Sequence, residues 1–375
     1  MENYIVSARK YRPSTFKSVV GQSHITDTLK NAIQSGKLAQ AFLFCGPRGV
    51  GKTTCARILA KTINCSHLTD DTEACNECDS CRDFNGGASM NIFELDAASN
   101  NSVDDIRELI KQVSVPPQAG KYKTYIIDEV HMLSQAAFNA FLKILEEPPA
   151  YVKFILATTE KQKIIPTILS RCQVFDFKRI KADDIVSHLK YVAEQEGVKY
   201  EDASLHLIAR SAEGGLRDAL SLFDQLVGFT NGNLVYKLCI ENLNILDDDY
   251  YFRLVDYFRT GDISNALLLY QEVIDKGFDG QHFITGLSEH LRNLLVSLDP
   301  PTHKLLEVSE QSRLHYGEQA TNCGIALLLK YLEMSSDYEY RFREAANKRL
   351  FVEVGLMKMA SLCSQAVQQA SRQVG

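Results

Sequence analysis

The octapeptide GPRGVGKT, from Gly46 to Thr53, constrains this chain more than any other feature. It follows the apolar run AFLFC and leads into a helical pattern, so that strand, glycine-rich turn and helix come in immediate succession. Glycines let backbone N–H groups turn toward phosphate oxygens, and the start of the helix adds the positive end of its dipole. The motif predicts a nucleotide site that contains Gly46, Pro47, Arg48, Gly49, Val50, Gly51, Lys52, Thr53 and Thr54.

The chemistry of such a site is divided between this loop and a second strand. Lys52 is expected to reach the β- and γ-phosphates, and Thr53 to offer its hydroxyl to Mg²⁺. TYIIDEVHML supplies Asp128 for the magnesium shell and Glu129 to polarise an attacking water. His131 suggests a helicase-type motif. We interpret it as a packing residue, because the chain has no further helicase motifs.

The spacing of short apolar runs predicts a doubly wound α/β domain over residues 1–180. AFLFC, NIFELDA, KTYIIDE, VKFILATT and CQVFDF are typical of buried parallel strands, with helical stretches between them. Residues 181–243 predict a small helical domain, 244–368 an all-α domain, and 369–375 a polar tail or the start of a linker. In the all-α part we expect helix breaks at Gly261, Gly277, Pro300, Pro301 and Gly317.

Three polar residues outside the two motifs are candidates for the same chemistry. Thr158 ends the strand FILATT and could sense the γ-phosphate or position water; the alternative is a hydroxyl that bonds only to backbone. Arg171, in LSRC, could complete the nucleotide site of a neighbouring subunit, or be an ordinary surface residue. Arg217, at the start of a helix, could bridge back to the γ-phosphate or simply pair with Asp218 or Glu213.

Ten cysteines, of which four are closely spaced, indicate a metal site. The pattern C-x9-C-x2-C-x2-C lets four thiolates converge on one tetrahedral Zn²⁺ at about 2.3 Å each. The loop around them has little apolar content, so metal would stabilise a module at about residues 65–85. The predicted zinc ligands are Cys65, Cys75, Cys78 and Cys81, with an iron–sulfur cluster or free thiols as alternatives. We expect the others to be buried: Cys45, Cys55, Cys172, Cys239, Cys323 and Cys363.

Composition limits the class of protein without naming it. Charged residues are 23% and hydrophobic residues 45% of the chain, as in ordinary globular proteins. We find no signal-peptide pattern and no apolar run long enough for a membrane helix, so we expect a cytoplasmic protein without membrane contact. The net charge is −6, yet between Arg9 and Lys61 the only acid is Asp27. A local basic surface can bind polyanions in an acidic protein.

Taken together, these motifs resemble the clamp-loader branch of the AAA+ ATPases, in particular its bacterial DNA polymerase III gamma/tau group. ARKYRPSTFKSVVGQ, GPRGVGKT, the four cysteines, ELDAASN, IDEVHMLS, LEEPP, ILATT, LSRC and GGLRDAL appear in the order of that family. The resemblance is specific to about residue 230. It implies an AAA+ P-loop domain with a zinc-binding insertion, a helical lid and an all-α oligomerisation collar. It also implies an adenine pocket formed by Tyr11, Arg12, Pro13, Val19 and Val20.

The resemblance implies a function as well. Family members assemble with delta and delta-prime subunits and with other gamma/tau copies, and they bind ATP and Mg²⁺ between neighbours. ATP binding opens the beta sliding clamp on primer–template DNA, and hydrolysis releases it. Arg171 would act in trans on the next subunit's ATP. The chain is thus expected to be an ATPase within a DNA polymerase complex, without a polymerase site of its own.

DNA contacts carry over from the family less directly. Arg107 and Lys143 match positions on the helices that line the inner spiral, where they would contact phosphate. Family members often have basic residues after DAAS, whereas this chain has Asn100, Asn101 and Ser102. Two other functions remain open from the sequence. One is a scaffold with a purely structural nucleotide, and the other is a different AAA+ remodeller, such as a branch-migration motor.

Overall fold

The computed structural model describes residues 5–117, 120–243, 245–306, 308 and 310–373. The chain forms two compact units. The first consists of Met1–Gly197 with Ile208–Gln225, and the second of Val198–Leu207 with Leu226–Gly375. The helices predicted for the lid are therefore divided between the units, and the predicted domain limits stay a prediction. Among the described residues, no helix combines the length and the apolar character that crossing a membrane requires.

The first unit is built on a five-stranded, wholly parallel sheet. Its strands are β1 (Ala41–Cys45), β2 (Ile92–Asp96), β3 (Lys123–Asp128), β4 (Val152–Thr158) and β5 (Gln173–Asp176). Their order in the sheet is β2-β3-β4-β1-β5, so the strand that precedes the phosphate loop lies between β4 and β5. Each strand falls within one of the five predicted runs, and the predicted α/β architecture is confirmed.

Helices cover both faces of this sheet, because successive strand residues point to opposite sides. Phe42 and Phe44 belong to one apolar core, whereas Leu43 and Cys45 belong to the other. The α-helices of this unit are α1 (Ser7–Lys10), α2 (Ser23–Gln34), α3 (Lys52–Asn64), α4 (Asp79–Asn85), α5 (Val103–Val113), α6 (Gln135–Glu146), α7 (Pro166–Leu169) and α8 (Ala182–Glu196). Short 3₁₀ helices span Phe16–Ser18, Val130–Met132 and Lys161–Lys163.

Two helices, α9 (Asp202–Ser211) and α10 (Leu216–Phe229), contribute residues to both units. The second unit also contains a short parallel strand pair, β6 (Lys199–Tyr200) and β7 (Asn233–Leu234), which the sequence did not indicate. Its other helices are α11 (Tyr236–Leu243), α12 (Asp248–Thr260), α13 (Ile263–Asp275), α14 (Gly280–Ser297), α15 (Glu310–Cys323), α16 (Ile325–Arg341) and α17 (Lys348–Gln373), with 3₁₀ turns at Pro300–Leu305 and Phe342–Glu344. The helices from α12 to α17 enclose one apolar core.

One predicted helix break is wrong. Gly261 and Gly277 have positive φ and lie just after α12 and α13, as expected, and Pro300 begins a 3₁₀ helix. Gly317, however, lies inside α15. A glycine in a helix costs only about 1 kcal/mol relative to alanine. The burial of Tyr316 and Ala320, on either side of it, offsets that cost.

Candidate nucleotide site and metal centre

A cavity of about 790 Å³ opens at the carboxyl ends of β1 and β3, within the first unit. Ligands of open parallel sheets bind at this edge. Every residue of the predicted phosphate loop from Arg48 to Thr54 lines the cavity. The other lining residues come from the N-terminal segment, from β2, from β3 and the residue after it, from the segment between β5 and α8, and from the start of α10: Val6, Ala8, Arg9, Tyr11, Arg12, Pro13, Val19, Val20, Glu94, Asp96, Asp128, Glu129, Ile180, Leu216, Arg217 and Leu220.

The phosphate loop adopts a conformation that needs its glycines. Gly49 and Gly51 have φ of 75° and 102°, in the region that favours glycine. A Cβ on Gly46 would lie 2.5 Å from the Phe177 carbonyl oxygen, so only glycine fits there. Val50 is buried in the apolar core and so fixes the loop to that core.

The Lys52 side chain is held inside the loop by Gly46 and Pro47, the two residues of the predicted phosphate loop that do not line the cavity. Its Nζ donates to the carbonyl oxygens of Gly46 at 2.8 Å and Pro47 at 2.7 Å. Burial lowers the pKa of Lys52, and the nearby carboxylates of Glu129 and Asp128 oppose that shift. The ammonium group is therefore a desolvated cation next to the cavity, where a phosphate would satisfy it better than two carbonyls do.

The two predicted magnesium residues contact each other directly. The Thr53 hydroxyl donates to Asp128 Oδ2 at 2.6 Å, although the residues are 75 positions apart. Oxygen ligands of this kind suit Mg²⁺, which also retains several waters. The residues present therefore fit a magnesium ion bound between the loop and β3.

Glu129 follows Asp128 in an unusual backbone conformation, with φ 48° and ψ 43°. Its Oε2 accepts hydrogen bonds from the Thr159 amide at 3.2 Å and from the Thr159 hydroxyl at 3.0 Å. His131 Nδ1 lies 3.3 Å from the same oxygen. The carboxylate is thus fixed at the cavity wall by Thr159, which the sequence did not single out, and by His131, interpreted from the sequence as a packing residue.

Thr158 does not occupy the position expected for it. Its side chain is fully buried, and it does not line the cavity. Its hydroxyl oxygen accepts from the Glu160 amide at 3.0 Å and lies 3.0 Å from His131 Nδ1. Strand β4 ends at Thr158, so it is the next residue, Thr159, that reaches Glu129.

His131 is more than a packing residue, since it joins three polar partners. Besides Thr158 and Glu129, its Nε2 lies 3.3 Å from Glu160 Oε1. The signal was present in the sequence as DEVH, in which the histidine comes two residues after the candidate catalytic glutamate. Glu94 and Asp96 were also missed. Their signal was acidic residues at the end of a strand, β2, that pairs with β3.

The N-terminal segment supplies one wall of the cavity, as the adenine-pocket prediction requires. Tyr11, Pro13, Val19 and Val20 all line it. Arg12 differs from the other four, because its Nε donates to the Thr54 hydroxyl at 3.1 Å, next to the phosphate loop. Burial lowers the pKa of the Arg12 guanidinium, and the positive charges of neighbouring arginines add to that effect. Arg12 therefore lies at the end of the cavity next to the predicted phosphate loop.

Arg217 also lines the cavity, and its backbone N–H donates to the Gly49 carbonyl at 3.4 Å. This contact is close, since a Cβ on Gly49 would lie 3.2 Å from Gly215 Cα. Asp218 lies at the ion-pair limit, 4.0 Å, from Arg48. The start of α10 is therefore packed directly on the phosphate loop. Of the two acids considered as alternative partners of Arg217, Asp218 lies near Arg48 and Glu213 pairs with Arg179.

Arg171 is not one of the residues that line the cavity. It follows α7, donates to the Thr167 carbonyl at 2.9 Å and forms an ion pair with Glu146 at 3.0 Å. Its action on a neighbouring molecule stays a prediction. Arg107 on α5 and Lys143 on α6 are exposed, and Arg107 pairs with Asp104 at 3.1 Å. Their contact with DNA stays a prediction.

The four predicted metal ligands come together. The sulfurs of Cys65, Cys75, Cys78 and Cys81 all lie within 4.8 Å of one another. Cys65 Sγ is 3.5 Å from Cys75 Sγ and 4.0 Å from Cys78 Sγ, close to the roughly 3.8 Å expected between sulfurs around a tetrahedral zinc. The donor set therefore fits Zn²⁺.

Backbone N–H groups also point at these sulfurs. The amide of Cys75 donates to Cys65 Sγ at 3.3 Å, and that of Cys78 donates to Cys75 Sγ at 3.3 Å. For Cys78, burial alone would raise the pKa, but amide donors and neighbouring thiols lower it to about 6. Such donors favour thiolate, the form that binds metal. Of the remaining cysteines, Cys45, Cys55 and Cys239 are buried, Cys172 and Cys323 are half-buried, and the Cys363 side chain lies outside the described residues.

Comparison with known proteins places these features in one family. Three family models match in succession: the DNA polymerase III delta subunit over residues 21–181, the ATPase lid domain of DNA polymerase III clamp loader subunits over 184–232, and domain III of the DNA polymerase III gamma and tau subunits over 243–373. The gamma subunit of Buchnera aphidicola subsp. Baizongia pistaciae is 34% identical over 371 residues, which are 97% of this chain and 99% of that protein. The chain belongs to the DNA polymerase III gamma/tau family. The expected fold class, with a helical lid and a helical C-terminal domain, is thereby confirmed.

Other members of the gamma/tau family are longer. The tau subunit of Bacillus subtilis (strain 168) is 39% identical over 366 residues, 97% of this chain and 64% of that protein. The tau subunit of Escherichia coli (strain K12) is 42% identical over 299 residues, 80% of this chain and 46% of that protein. This gamma/tau chain therefore spans about half to two-thirds of the length of those relatives.

Proposed function

We propose that this chain is an ATP-hydrolysing motor subunit of a bacterial clamp loader within the DNA polymerase III holoenzyme. One observation carries the proposal. Lys52, the Thr53–Asp128 pair and Glu129 meet at a single cavity. A protein that merely held a structural nucleotide would need the phosphate contacts but no fixed carboxylate beside them. Family membership supports the wider role in DNA replication.

Each residue has a distinct part in the proposed hydrolysis. Lys52 would exchange its two carbonyl partners for the β- and γ-phosphates, and Thr53 with Asp128 would hold Mg²⁺. Glu129, which Thr159 already fixes, would orient the attacking water. Phosphoryl transfer depends mainly on such positioning and on charge stabilisation. Arg171 would supply its positive charge to the ATP of a neighbouring subunit, while Arg217 would act on the chain's own nucleotide.

The proposal extends to the metal and to the partners. Zn²⁺ bound by Cys65, Cys75, Cys78 and Cys81 would be structural, since four thiolates leave no open coordination position. The partners would be delta, delta-prime and further gamma/tau copies, the beta sliding clamp and primer–template DNA, in the bacterial cytoplasm. Arg107 and Lys143 would contact DNA phosphates without reading sequence.

Reconstitution with purified partner subunits, the sliding clamp and primed DNA tests this function. We expect ATP hydrolysis that primed DNA stimulates, together with clamp loading. Lys52→Ala should abolish both by removing the phosphate contact. Lys37→Ala, at an exposed position shortly before β1, is the matched control and should behave as wild type. Nucleotide binding without DNA-stimulated hydrolysis or loading would favour a scaffold instead.

A further inference from the structure

A buried carboxylate links the cysteine module to the wall of the nucleotide cavity. Glu73 lies in the loop between Cys65 and Cys75, and only 7% of the residue is exposed. Its backbone is held locally, since Thr69 N–H donates to the Glu73 carbonyl at 3.0 Å and Glu73 N–H donates to the Thr69 hydroxyl at 3.1 Å. The side chain points out of the module, so it must be satisfied elsewhere.

The partners of Glu73 lie in the N-terminal segment and on α2. Its two carboxylate oxygens accept from the backbone N–H groups of Phe16 at 2.9 Å and Lys17 at 3.0 Å. Lys30 Nζ is 2.9 Å from Oε1. These two N–H groups begin the 3₁₀ helix Phe16–Ser18, so the carboxylate caps it from a distant part of the chain. Buried bonds to a charged acceptor are among the stronger ones in proteins.

The capped helix leads directly into the cavity wall. Val19 and Val20 follow it and line the cavity, while Phe16 is buried in the same core as the α3 residues that follow the phosphate loop. The module is also attached to α3 itself, because Lys61 Nζ donates to Asn76 Oδ1 at 2.5 Å. The position of this wall therefore depends on the loop that the cysteines close.

We propose that Glu73 is a positioning residue that couples metal occupancy of the four-cysteine cluster to nucleotide affinity. The inference rests on the proposed nucleotide and zinc sites. Metal fixes the ends of the loop, the loop fixes Glu73, and Glu73 fixes the segment against which the nucleotide packs. Because such coupling is reciprocal, bound nucleotide must also raise the affinity of the cluster for metal by the same factor.

Two measurements on the full chain test the coupling: ADP affinity by calorimetry, and zinc affinity by competition with a chelator, with and without saturating ADP. Glu73→Ala removes the cap. Asp71→Ala, which removes an exposed carboxylate from the same loop, is the matched control. We expect Glu73→Ala to retain zinc but to bind ADP about tenfold more weakly, as loss of one or two charged hydrogen bonds implies. In the assembled complex its KM for ATP should rise while kcat stays unchanged.

The linkage itself gives the decisive comparison. In wild type and Asp71→Ala, saturating ADP should raise the zinc affinity several-fold, whereas in Glu73→Ala the ratio of the zinc affinities with and without ADP should fall to about one. If Glu73→Ala loses its zinc, Glu73→Gln decides by the same measurements, since its single amide oxygen keeps an acceptor for one of the two backbone N–H groups and should retain part of the effect. Wild type that binds ADP and zinc independently overturns the inference. Wild type that binds no nucleotide overturns the proposed function instead.

Discussion

At the scale of single residues, the most informative one is Glu129. A non-glycine residue in the left-handed region costs of order 1–3 kcal/mol and persists only where its surroundings enforce it. Here the enforcement is visible, because Thr159 makes two hydrogen bonds to one carboxylate oxygen and His131 Nδ1 lies 3.3 Å from the same oxygen. The strain and the tether together give a carboxylate with one orientation, as a water-positioning group requires.

Thr159→Val should separate the orientation of the Glu129 carboxylate from the binding of nucleotide. Valine has nearly the same shape but loses the hydroxyl, so Glu129 keeps only the amide donor. We expect turnover in the assembled complex to fall about tenfold, the value of one hydrogen bond to a charged group, with nucleotide affinity unchanged. Steady-state kinetics and equilibrium binding measure the two effects. Thr159→Ser, which keeps the hydroxyl, should restore turnover; a valine variant as active as wild type would exclude this role.

The residues that the sequence predicted well are those whose chemistry is local. The phosphate-loop residues and the four cysteines each lie within a short segment of the sequence, and the structure brings each set together. Thr158 and Arg12 show where such reasoning stops. Which of two adjacent threonines reaches Glu129 depends on where β4 ends, and the contact of Arg12 with Thr54 depends on how the N-terminal segment packs. Neither contact can be inferred from the spacing of residues along the sequence.

At the scale of elements, helix α14 places one polar side chain, that of His290, inside an apolar core. His290 is buried, its Nε2 lies 3.2 Å from Gln319 Oε1 and its Nδ1 lies 3.2 Å from the Tyr316 hydroxyl. The Gln319 amide donates to the Phe252 carbonyl at 2.7 Å, so its oxygen faces the imidazole. The neutral ring with its proton on Nε2 satisfies all of these groups. Burial lowers the pKa of His290 from its usual 6.5 to about 3, and the charge of His315 adds to this.

This histidine should make the helical unit sensitive to acid. Below pH 6.5 the unfolded chain takes up a proton at His290, while the folded chain does not until about pH 3, so stability falls as pH falls through this window. From about pH 7.5 to about pH 5.5 the contribution is about 1.4 kcal/mol of unfolding free energy. Urea unfolding at both pH values should show that His290→Gln loses this part of the fall. His282→Gln, at an exposed position on the same helix, should keep it. Equal pH dependence in wild type and His290→Gln would contradict the assignment.

Elements also show why helix boundaries were harder to predict than helix existence. The amphipathic patterns from Lys181 onward gave helices where they were expected. The break predicted at Gly317 failed, because local propensity is weak compared with burial of the neighbouring side chains. The short strands β6 and β7, with two residues each, have no periodicity from which a strand could be inferred.

At the scale of the whole molecule, the proposed ATP hydrolysis between subunits depends on the position of Arg171 outside the lining of the chain's own cavity. The Arg171 guanidinium contacts Glu146 and the Thr167 carbonyl, and Arg171 is not among the residues that line the cavity. In the proposed function, each nucleotide site is completed only where another chain supplies this charge. Removal of such an arginine typically costs a factor of 10³–10⁵ in turnover.

The most direct test measures ATP hydrolysis by wild type and Arg171→Ala, each as the isolated monomeric chain and in the reconstituted complex. Arg48→Ala, an exposed arginine of the phosphate loop itself, is the comparison for an effect in cis. We expect both isolated chains to bind ATP equally and hydrolyse it slowly, with Arg171→Ala defective only in the complex, by at least about a thousandfold at sites where it is the donor. An isolated wild-type monomer that hydrolyses ATP as fast as the complex would contradict the account.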